Sequence, residues 1–406
     1  MKNKQEKYVW LILLSISTSF SFALDERQMN LFLVGIMALV PVFLLVQYPS
    51  INIKREGTIY LLLLALIASS LFHLATFRIA TLVYSAMFLL TFIYYMKLIV
   101  SNSLTMDRYL IIIKSLLVAY FVVLLIQQFC LLVGSPYIFN FVAGDTDSFK
   151  LNSLSPEPSH TARILMVLMY SFIFIREVEL KRKYNLIFDG KRDKYIWLIF
   201  LYPMLTMGSG FAIVLLLAFL PKIIKIRKLI IFLPFVVVAF MVVLNLDLPA
   251  VERVLSFGRA FFSLDPDAMM NADHSASIRV VPTILYFNML HPTNVNIWVG
   301  YGTDYASNLV PTLMYGINEG SYRGGIFPAF FIDRGLICVA LLFYLIRRYC
   351  LIKVFSYDTF ILLLLIFSTN INTQLFWISI MLYATNKYFK HINEIEFSSS
   401  NYIIQE

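Results

Sequence analysis

Long runs of apolar residues without a charged side chain constrain this chain more than any other feature. The run that begins at Tyr60 reads YLLLLALIASSLFHLAT, and similar runs recur along the 406 residues. A hydrocarbon core about 30 Å thick needs about 20 apolar residues per helix, and only helices or closed barrels satisfy their backbone there. A barrel would show strands of about 10 residues that alternate between apolar and polar side chains. The unbroken runs therefore predict membrane-spanning helices.

The composition supports the same prediction, because 60% of the residues are hydrophobic and only 14% are charged. Soluble domains are about 45–50% apolar and about 25% charged. We predict an all-α polytopic membrane protein with one transmembrane domain, residues 1–406. The first apolar run lacks a small-residue cleavage site, so we interpret it as a helix and not as a signal peptide. Twelve helices are expected, with starts near Tyr8, Asn30, Thr58, Ile79, Tyr109, Thr161, Tyr195, Phe211, Leu229, Ile326, Tyr357 and Leu375.

The distribution of basic residues predicts the orientation. The net charge of +9 could suggest a nucleic-acid partner, but the basic residues lie between the apolar runs. Alternate connections hold 23 of the 33 lysines and arginines. By the positive-inside rule these connections are cytoplasmic. We therefore expect a multi-pass protein of the cytoplasmic (inner) membrane, with both termini in the cytoplasm and no nucleic-acid partner.

Two long connections are expected on the outer side, residues 134–160 and residues 247–325, the second between helices 9 and 10. Loops of this length are usually functional or disordered, and the aromatic residues and glycines of the second argue against disorder. Arginine predominates among the basic residues left on this side: Arg27, Arg78, Lys150, Arg163, Arg253, Arg259, Arg279, Arg323 and Arg334. The guanidinium fork suits phosphate and carboxylate groups. This side could bind an anion, or the arginines could form structural pairs.

The segment LNSLSPEPSHTARILMVLMY is the first candidate for chemistry. Pro158 suits the first turn of a helix, which places Glu157 at the helix start. His160 and Arg163 follow at three-residue spacing and share a face. The positive N-terminal end of this helix would face the outer side and attract anions. The structural alternative is a capping cluster with a local Glu–Arg pair.

The second candidate segment is HSASIRVVPTILYFNMLHPTNVNIWVGYGTDY in the large outer loop. Arg279 opens an amphipathic stretch that His291-Pro292 ends, typical of a helix on the membrane surface. The glycines on either side of Tyr301 predict a tight turn where the backbone can approach a ligand. The alternative is a simple loop helix with a surface arginine.

The third candidate segment is YRGGIFPAFFIDRGLICVALLFYLIRR. Arg323 and two glycines end the outer loop. Asp333 and Arg334 then fall inside a stretch that otherwise lacks charge. Charged residues inside a membrane mark a functional site by default. A buried structural ion pair is the alternative.

Neither a metal site nor a cofactor is expected. The acidic pairs in DTD (145–147) and DPD (265–267) resemble a metal motif of many glycosyltransferases, but such pairs are common by chance. No His/Cys cluster has zinc spacing. The cysteines Cys130, Cys338 and Cys350 lie in or beside apolar runs and are interpreted as small core residues.

In four segments the chain resembles the oligosaccharide repeat-unit polymerases of the Wzy type, which make O-antigen, capsule or exopolysaccharide. The segments are SPEPSHTA, SIR followed by WVGYG, DRG, and NINTQLFW. The resemblance implies a GT-C-like membrane glycosyltransferase that uses undecaprenyl-diphosphate-linked oligosaccharide as donor and acceptor. It also implies as partners the lipid bilayer, a chain-length regulator and a flippase.

Roles for the candidate residues follow from this chemistry. Negative charge develops on a diphosphate leaving group, and preorganised arginine donors stabilise such charge. Glu157 or His160 could act as the base for the acceptor hydroxyl, with Arg279 as a further catalytic residue. Diphosphate and glycan binding is assigned to Arg163, Tyr301, Arg323, Asp333 and Arg334.

Three other functions fit parts of the sequence. An O-antigen ligase shares the architecture and a large outer loop. A lipid-linked glycan transporter or flippase would be expected to show inverted repeats and charges along a path through several helices. A structural or receptor-like protein would not explain three arginine-bearing segments that face one compartment.

Overall fold

The computed structural model describes residues 2–19, 30–101, 104–135, 151–186, 188–224, 249–288, 290–318, 322 and 324–403. Helices and turns, and no strand, make up this part of the chain. The helices are α1 (Lys2–Ser17), α2 (Leu31–Gln47), α3 (Ile53–Phe72), α4 (Ile79–Ser101), α5 (Met106–Leu132), α6 (Pro158–Leu180), α7 (Asp189–Arg192), α8 (Lys194–Thr206), α9 (Gly210–Ile223), α10 (Pro249–Ser263), α11 (Pro266–Ala272), α12 (His274–Asn288), α13 (Val295–Val299), α14 (Tyr305–Leu313), α15 (Phe331–Tyr349), α16 (Tyr357–Ile366) and α17 (Gln374–Ile403).

Four helical segments of the described chain are long and apolar enough to cross a membrane. They are Ile53–Phe72, Ile79–Ser101, Met106–Leu132 and Ile326–Tyr349, the last consisting of a helical turn followed by α15. Three shorter helices, α2, α9 and α16, are also apolar. The all-helical, membrane-type fold expected from the composition is therefore present.

The predicted helix starts agree with the observed helices in most cases. Helices α4 and α16 begin at the predicted residues, whereas α1 and α3 begin five or six residues earlier than predicted. Each of these two takes in a charged turn before its apolar run, and Asn52 caps α3 by accepting a hydrogen bond from the Arg55 amide. The helix predicted near Leu229 lies outside the described residues.

The helix ends locate two turns of the bundle. The segment 367–373 separates α16 from α17, which pack against each other. Gly208 has a φ of +71° and lies in the turn between α8 and α9. The large loop is also more ordered than a coil, because α10 to α14 all fall within residues 249–313.

Ion pairs gather at one end of the helix bundle, which we call the basic end. Lys97 of α4 contacts Glu56 of α3 at 3.0 Å. Lys222 of α9 contacts both Glu177 of α6 at 2.8 Å and Asp358 of α16 at 3.0 Å. These contacts join helix ends that are distant in sequence, and both lysines lie at this end of the bundle.

At the other end of the bundle, which we call the opposite end, Arg78 pairs with Asp304 at 2.8 Å, and hydrogen bonds between uncharged groups also join distant segments. Gln127 donates to Asn152 at 3.1 Å and accepts a bond from the Ser153 amide at 2.8 Å. Ser85 donates to Asn372 at 2.5 Å. These bonds fix the segments before α6 and before α17, which both contribute to the candidate site.

Candidate functional site

The N-terminal end of α6 lies at the opposite end of the bundle. Pro158 occupies the first helical position, and the Glu157 carbonyl accepts hydrogen bonds from the His160 and Thr161 amides. The Glu157 side chain is exposed and accepts a hydrogen bond from Ser159 at 3.1 Å. Within the described chain it forms no ion pair with Arg163 within 4.0 Å. The local Glu–Arg pair considered from the sequence is therefore absent.

Arg163 is buried, with only 3% of its surface exposed, one turn into α6. One terminal nitrogen donates a hydrogen bond to the Ser368 hydroxyl at 2.6 Å, and the guanidinium lies 4.6 Å from the centroid of the Phe211 ring. Its Nε has no hydrogen-bond partner. No carboxylate of the described residues comes within ion-pair distance of it. A buried charge without a counter-ion costs several kcal/mol, and an anion bound beside this guanidinium would lower that cost.

Arg279 lies on α12 and lines a polar cavity of about 330 Å³. Ser368, which accepts the bond from Arg163, lines the same cavity. Arg163, Arg279 and Glu157 are all close enough to act electrostatically on the His160 ring. The structure therefore brings together four residues that the sequence singled out, and the charges of its two arginines repel each other.

Glycines form one wall of this cavity. A Cβ at Gly325 would overlap the Phe367 carbonyl and lie 2.7 Å from the Ser368 Cα. Gly324 accepts a hydrogen bond from Asn370 at 3.4 Å. The double glycine thus lets the end of the outer loop pack on the segment before α17, a role that its position in the sequence did not reveal.

A phenol also borders the cavity. Tyr322 is buried, and burial raises the pKa of its phenol. The hydroxyl therefore stays protonated and can donate a hydrogen bond to an anion. Arg323 lies outside the described residues, although its neighbours Tyr322 and Gly324 line the cavity.

The segments WVGYG and DRG form a second cluster, which we call the glycine junction. The Tyr301 amide donates to the Ile332 carbonyl at 2.9 Å, and the Gly302 amide donates to the Asp333 carbonyl at 3.2 Å. The tight turn expected around Tyr301 therefore approaches another segment of the chain. The Tyr301 ring stacks on Tyr305 with 5.0 Å between centroids.

Asp333 and Arg334 are partnered separately at the glycine junction. The Asp333 carboxylate accepts a hydrogen bond from the Ala306 amide at 2.8 Å, while the buried Arg334 guanidinium donates to the Ser70 hydroxyl of α3. Their side chains do not come within 4.0 Å of each other in the described structure. The direct ion pair considered from the sequence is therefore not formed, and each group helps to dock a neighbouring segment.

The predicted site residues thus divide into two groups. Arg279 lines the cavity. Arg163 contacts the cavity residue Ser368, and both His160 and Arg163 lie within electrostatic reach of Glu157 and Arg279. Tyr301, Asp333 and Arg334 belong to the glycine junction. Helix α12 links the two, because Tyr286 on the same helix packs edge-on against Phe331 with 5.5 Å between centroids.

Sequence reasoning did not identify three contributors to the site. Ser368 lies just before the segment NINTQLFW and was not assigned to the site, and Phe211 was predicted only as the start of a helix. Tyr322 was not assigned to the site, although its neighbour Arg323 was. Helix-level patterns do not specify which side chains meet between distant helices, so none of these contacts carried a sequence signal.

No group of three or more His, Cys, Asp or Glu side chains in the described chain could hold a metal ion. Comparisons with family models, with curated proteins and with solved structures find no match to this chain.

Proposed function

We propose that the chain crosses the cytoplasmic membrane about twelve times, with the basic end in the cytoplasm and the large loop, residues 247–325, outside. The clustering of lysines at one end supports this orientation through the positive-inside rule. Both termini would be cytoplasmic, and the cavity lined by Arg279 would open to the outer side.

Cysteine labelling of intact cells tests this orientation. Cys130, Cys338 and Cys350 are buried, so they give little background with an impermeant maleimide. We expect Asn308→Cys, on the exposed face of α14, to react in intact cells. Lys353→Cys, in the exposed connection before α16, should react only after permeabilisation. Labelling of both positions in intact cells would contradict the orientation.

We further propose that the protein polymerises undecaprenyl-diphosphate-linked oligosaccharide repeat units into O-antigen, capsule or exopolysaccharide. The observation that carries this proposal is the buried Arg163 without a counter-ion, close to a second arginine that lines the polar cavity. Two neighbouring guanidinium groups can bind a diphosphate. Its negative charge would offset the repulsion between them, and its oxygens would accept the hydrogen bond that the Nε of Arg163 does not make in the protein.

The reaction would proceed by direct attack of the acceptor. An acceptor hydroxyl oxygen forms a bond to the anomeric carbon of the donor glycan. The bond between that carbon and the diphosphate oxygen breaks, and its electron pair remains on undecaprenyl diphosphate. Arg163 and Arg279 stabilise the charge that develops there. Glu157 or His160 takes the hydroxyl proton, and the anomeric configuration inverts.

The position of Glu157 supports its assignment as the base. Glu157 is exposed at the start of α6, within electrostatic reach of His160 and Arg163. An acceptor sugar can therefore approach Glu157 from the outer side while Arg163 and Arg279 bind the donor diphosphate.

A flippase would supply the lipid-linked units and a chain-length regulator would set the size of the product.

Deletion of the gene, followed by sizing of the surface polysaccharide, tests the function. A polymerase deletion should leave one repeat unit on the final acceptor and no longer chains. Loss of an O-antigen ligase would instead leave no glycan on the acceptor. Loss of a flippase would retain lipid-linked units on the cytoplasmic side. Chains of normal length after deletion would contradict all three functions.

A further inference from the structure

A second cavity of about 860 Å³ lies between α8 and α9, apart from the cavity that Arg279 lines. We call it the α8–α9 groove. Leu201, Leu205, Leu217 and Phe219 contribute to its apolar walls, and Lys191 and Lys194 line it at the start of α8. A cavity of this size is within the range of ligand-binding pockets.

The length of the groove fits the acyl chain of a lipid. Helices α8 and α9 contain 13 and 14 residues, which correspond to a length of about 20 Å at a rise of about 1.5 Å per residue. Leu205, Ile213 and Leu217 are each more than half exposed, so the walls present hydrocarbon surface to the surroundings. An extended acyl chain can lie along such a surface.

The charge at the start of α8 is not neutralised by the described residues. No described carboxylate lies within ion-pair distance of Lys191 or Lys194. The two nearest acids in sequence are already engaged, because Asp189 pairs with Arg182 at 2.6 Å and Asp193 lies 3.5 Å from Arg176. Lys194 lies 5.0 Å from the centroid of the Tyr195 ring. Neither lysine has a carboxylate partner among the described residues, so an anion from outside the chain can pair with them.

We propose that the α8–α9 groove binds a glycerophospholipid with an anionic headgroup, the acyl chain between the helices and the phosphate beside Lys191 and Lys194. Basic pockets between membrane helices at the cytoplasmic side recognise such headgroups. The proposal rests on the orientation proposed above and not on the polymerase activity. The polyprenyl substrate fits this groove poorly, because its diphosphate would have to reach the opposite end of the bundle.

Native mass spectrometry of the full-length protein in detergent tests the site. The protein would be titrated with phosphatidylglycerol and with phosphatidylcholine of identical acyl chains. We expect the wild type to prefer phosphatidylglycerol, and Lys191→Ala/Lys194→Ala to bind it about 30-fold more weakly. This factor corresponds to about 1 kcal/mol for each lysine near an anionic lipid, with 1.4 kcal/mol per tenfold change. Binding of phosphatidylcholine should hardly change.

Two further variants locate the bound lipid. Lys353→Ala removes an exposed lysine of the basic end outside the groove and should leave both affinities unchanged. Leu217→Trp fills the groove and should weaken both lipids. Equal binding of phosphatidylglycerol to wild type and to the double lysine variant would overturn the proposal, as would an equal loss in Lys353→Ala. Because lipid binding is measured without glycan synthesis, failure here leaves the polymerase proposal to its own test.

Discussion

Replacement of Arg279 by alanine is expected to lower glycan polymerisation by about 100- to 1,000-fold, the usual effect of removing one preorganised donor to a developing negative charge. Arg279 is exposed within the polar cavity and forms no ion pair in the described chain, so its loss should not unfold the protein. The measurement is the chain-length distribution of surface glycan in a deletion strain that expresses the variant at the wild-type level.

Two other substitutions separate the role of Arg279 from a general effect of charge. Arg259→Ala removes an exposed arginine of α10, in the same outer loop but not among the residues that line the cavity, and should leave chain length unchanged. Arg279→Lys retains the charge but loses the planar fork, so it should restore little activity if two phosphate oxygens must be bound. Normal chain lengths in Arg279→Ala would contradict the proposed diphosphate site.

The second large effect is expected from Gly300→Ala at the glycine junction. Gly300 has φ +90° and ψ 177°, a conformation that is almost restricted to glycine. The added Cβ would overlap the Asp333 carbonyl and lie 2.7 Å from the Arg334 Cα. Backbone strain of this kind costs about 1–3 kcal/mol, and the overlap adds to it. We expect a marked fall in the thermal unfolding temperature and in the yield of monodisperse protein.

Gly258→Ala is the matched control for this substitution. Gly258 lies within α10, and a Cβ there would meet nothing within 4 Å. Alanine is favoured over glycine in a helix by about 1 kcal/mol. The unfolding temperature should therefore stay the same or rise. If Gly300→Ala were as stable as this control, the docking of WVGYG on DRG would not be a major source of stability.

Much of the fold could be predicted from the sequence because the apolar residues of a membrane helix lie together in one continuous segment of the chain. An apolar run such as that in α4 is long enough to identify a helix without any knowledge of its neighbours. The ends were less predictable where charged residues continue the helix, as Lys54 and Arg55 do at the start of α3. Hydropathy identifies the apolar run, whereas the hydrogen-bonded helix can extend beyond it.

The candidate site was predictable only in part, for a related reason. Spacing along α6 places Glu157, His160 and Arg163 together, because residues three apart share a helix face. The approach of Arg279 depends on how α12 packs. A direct ion pair between Asp333 and Arg334 was the alternative considered from the sequence, but each has its own partner on a different element. Neighbours in sequence on a helix point in different directions, so adjacency did not predict contact.

The hydrogen bond from Arg163 to Ser368 has a consequence for biosynthesis, because it joins residues 205 positions apart. Arg163 enters the membrane with α6 when more than half of the chain is still to be made. Its acceptor reaches the bundle only with the last helices, and contacts between such distant residues are slow to form. Nascent chains that stop before Ser368 would therefore carry an arginine that lacks its hydroxyl acceptor, which provides a basis for quality control to distinguish unfinished from finished molecules.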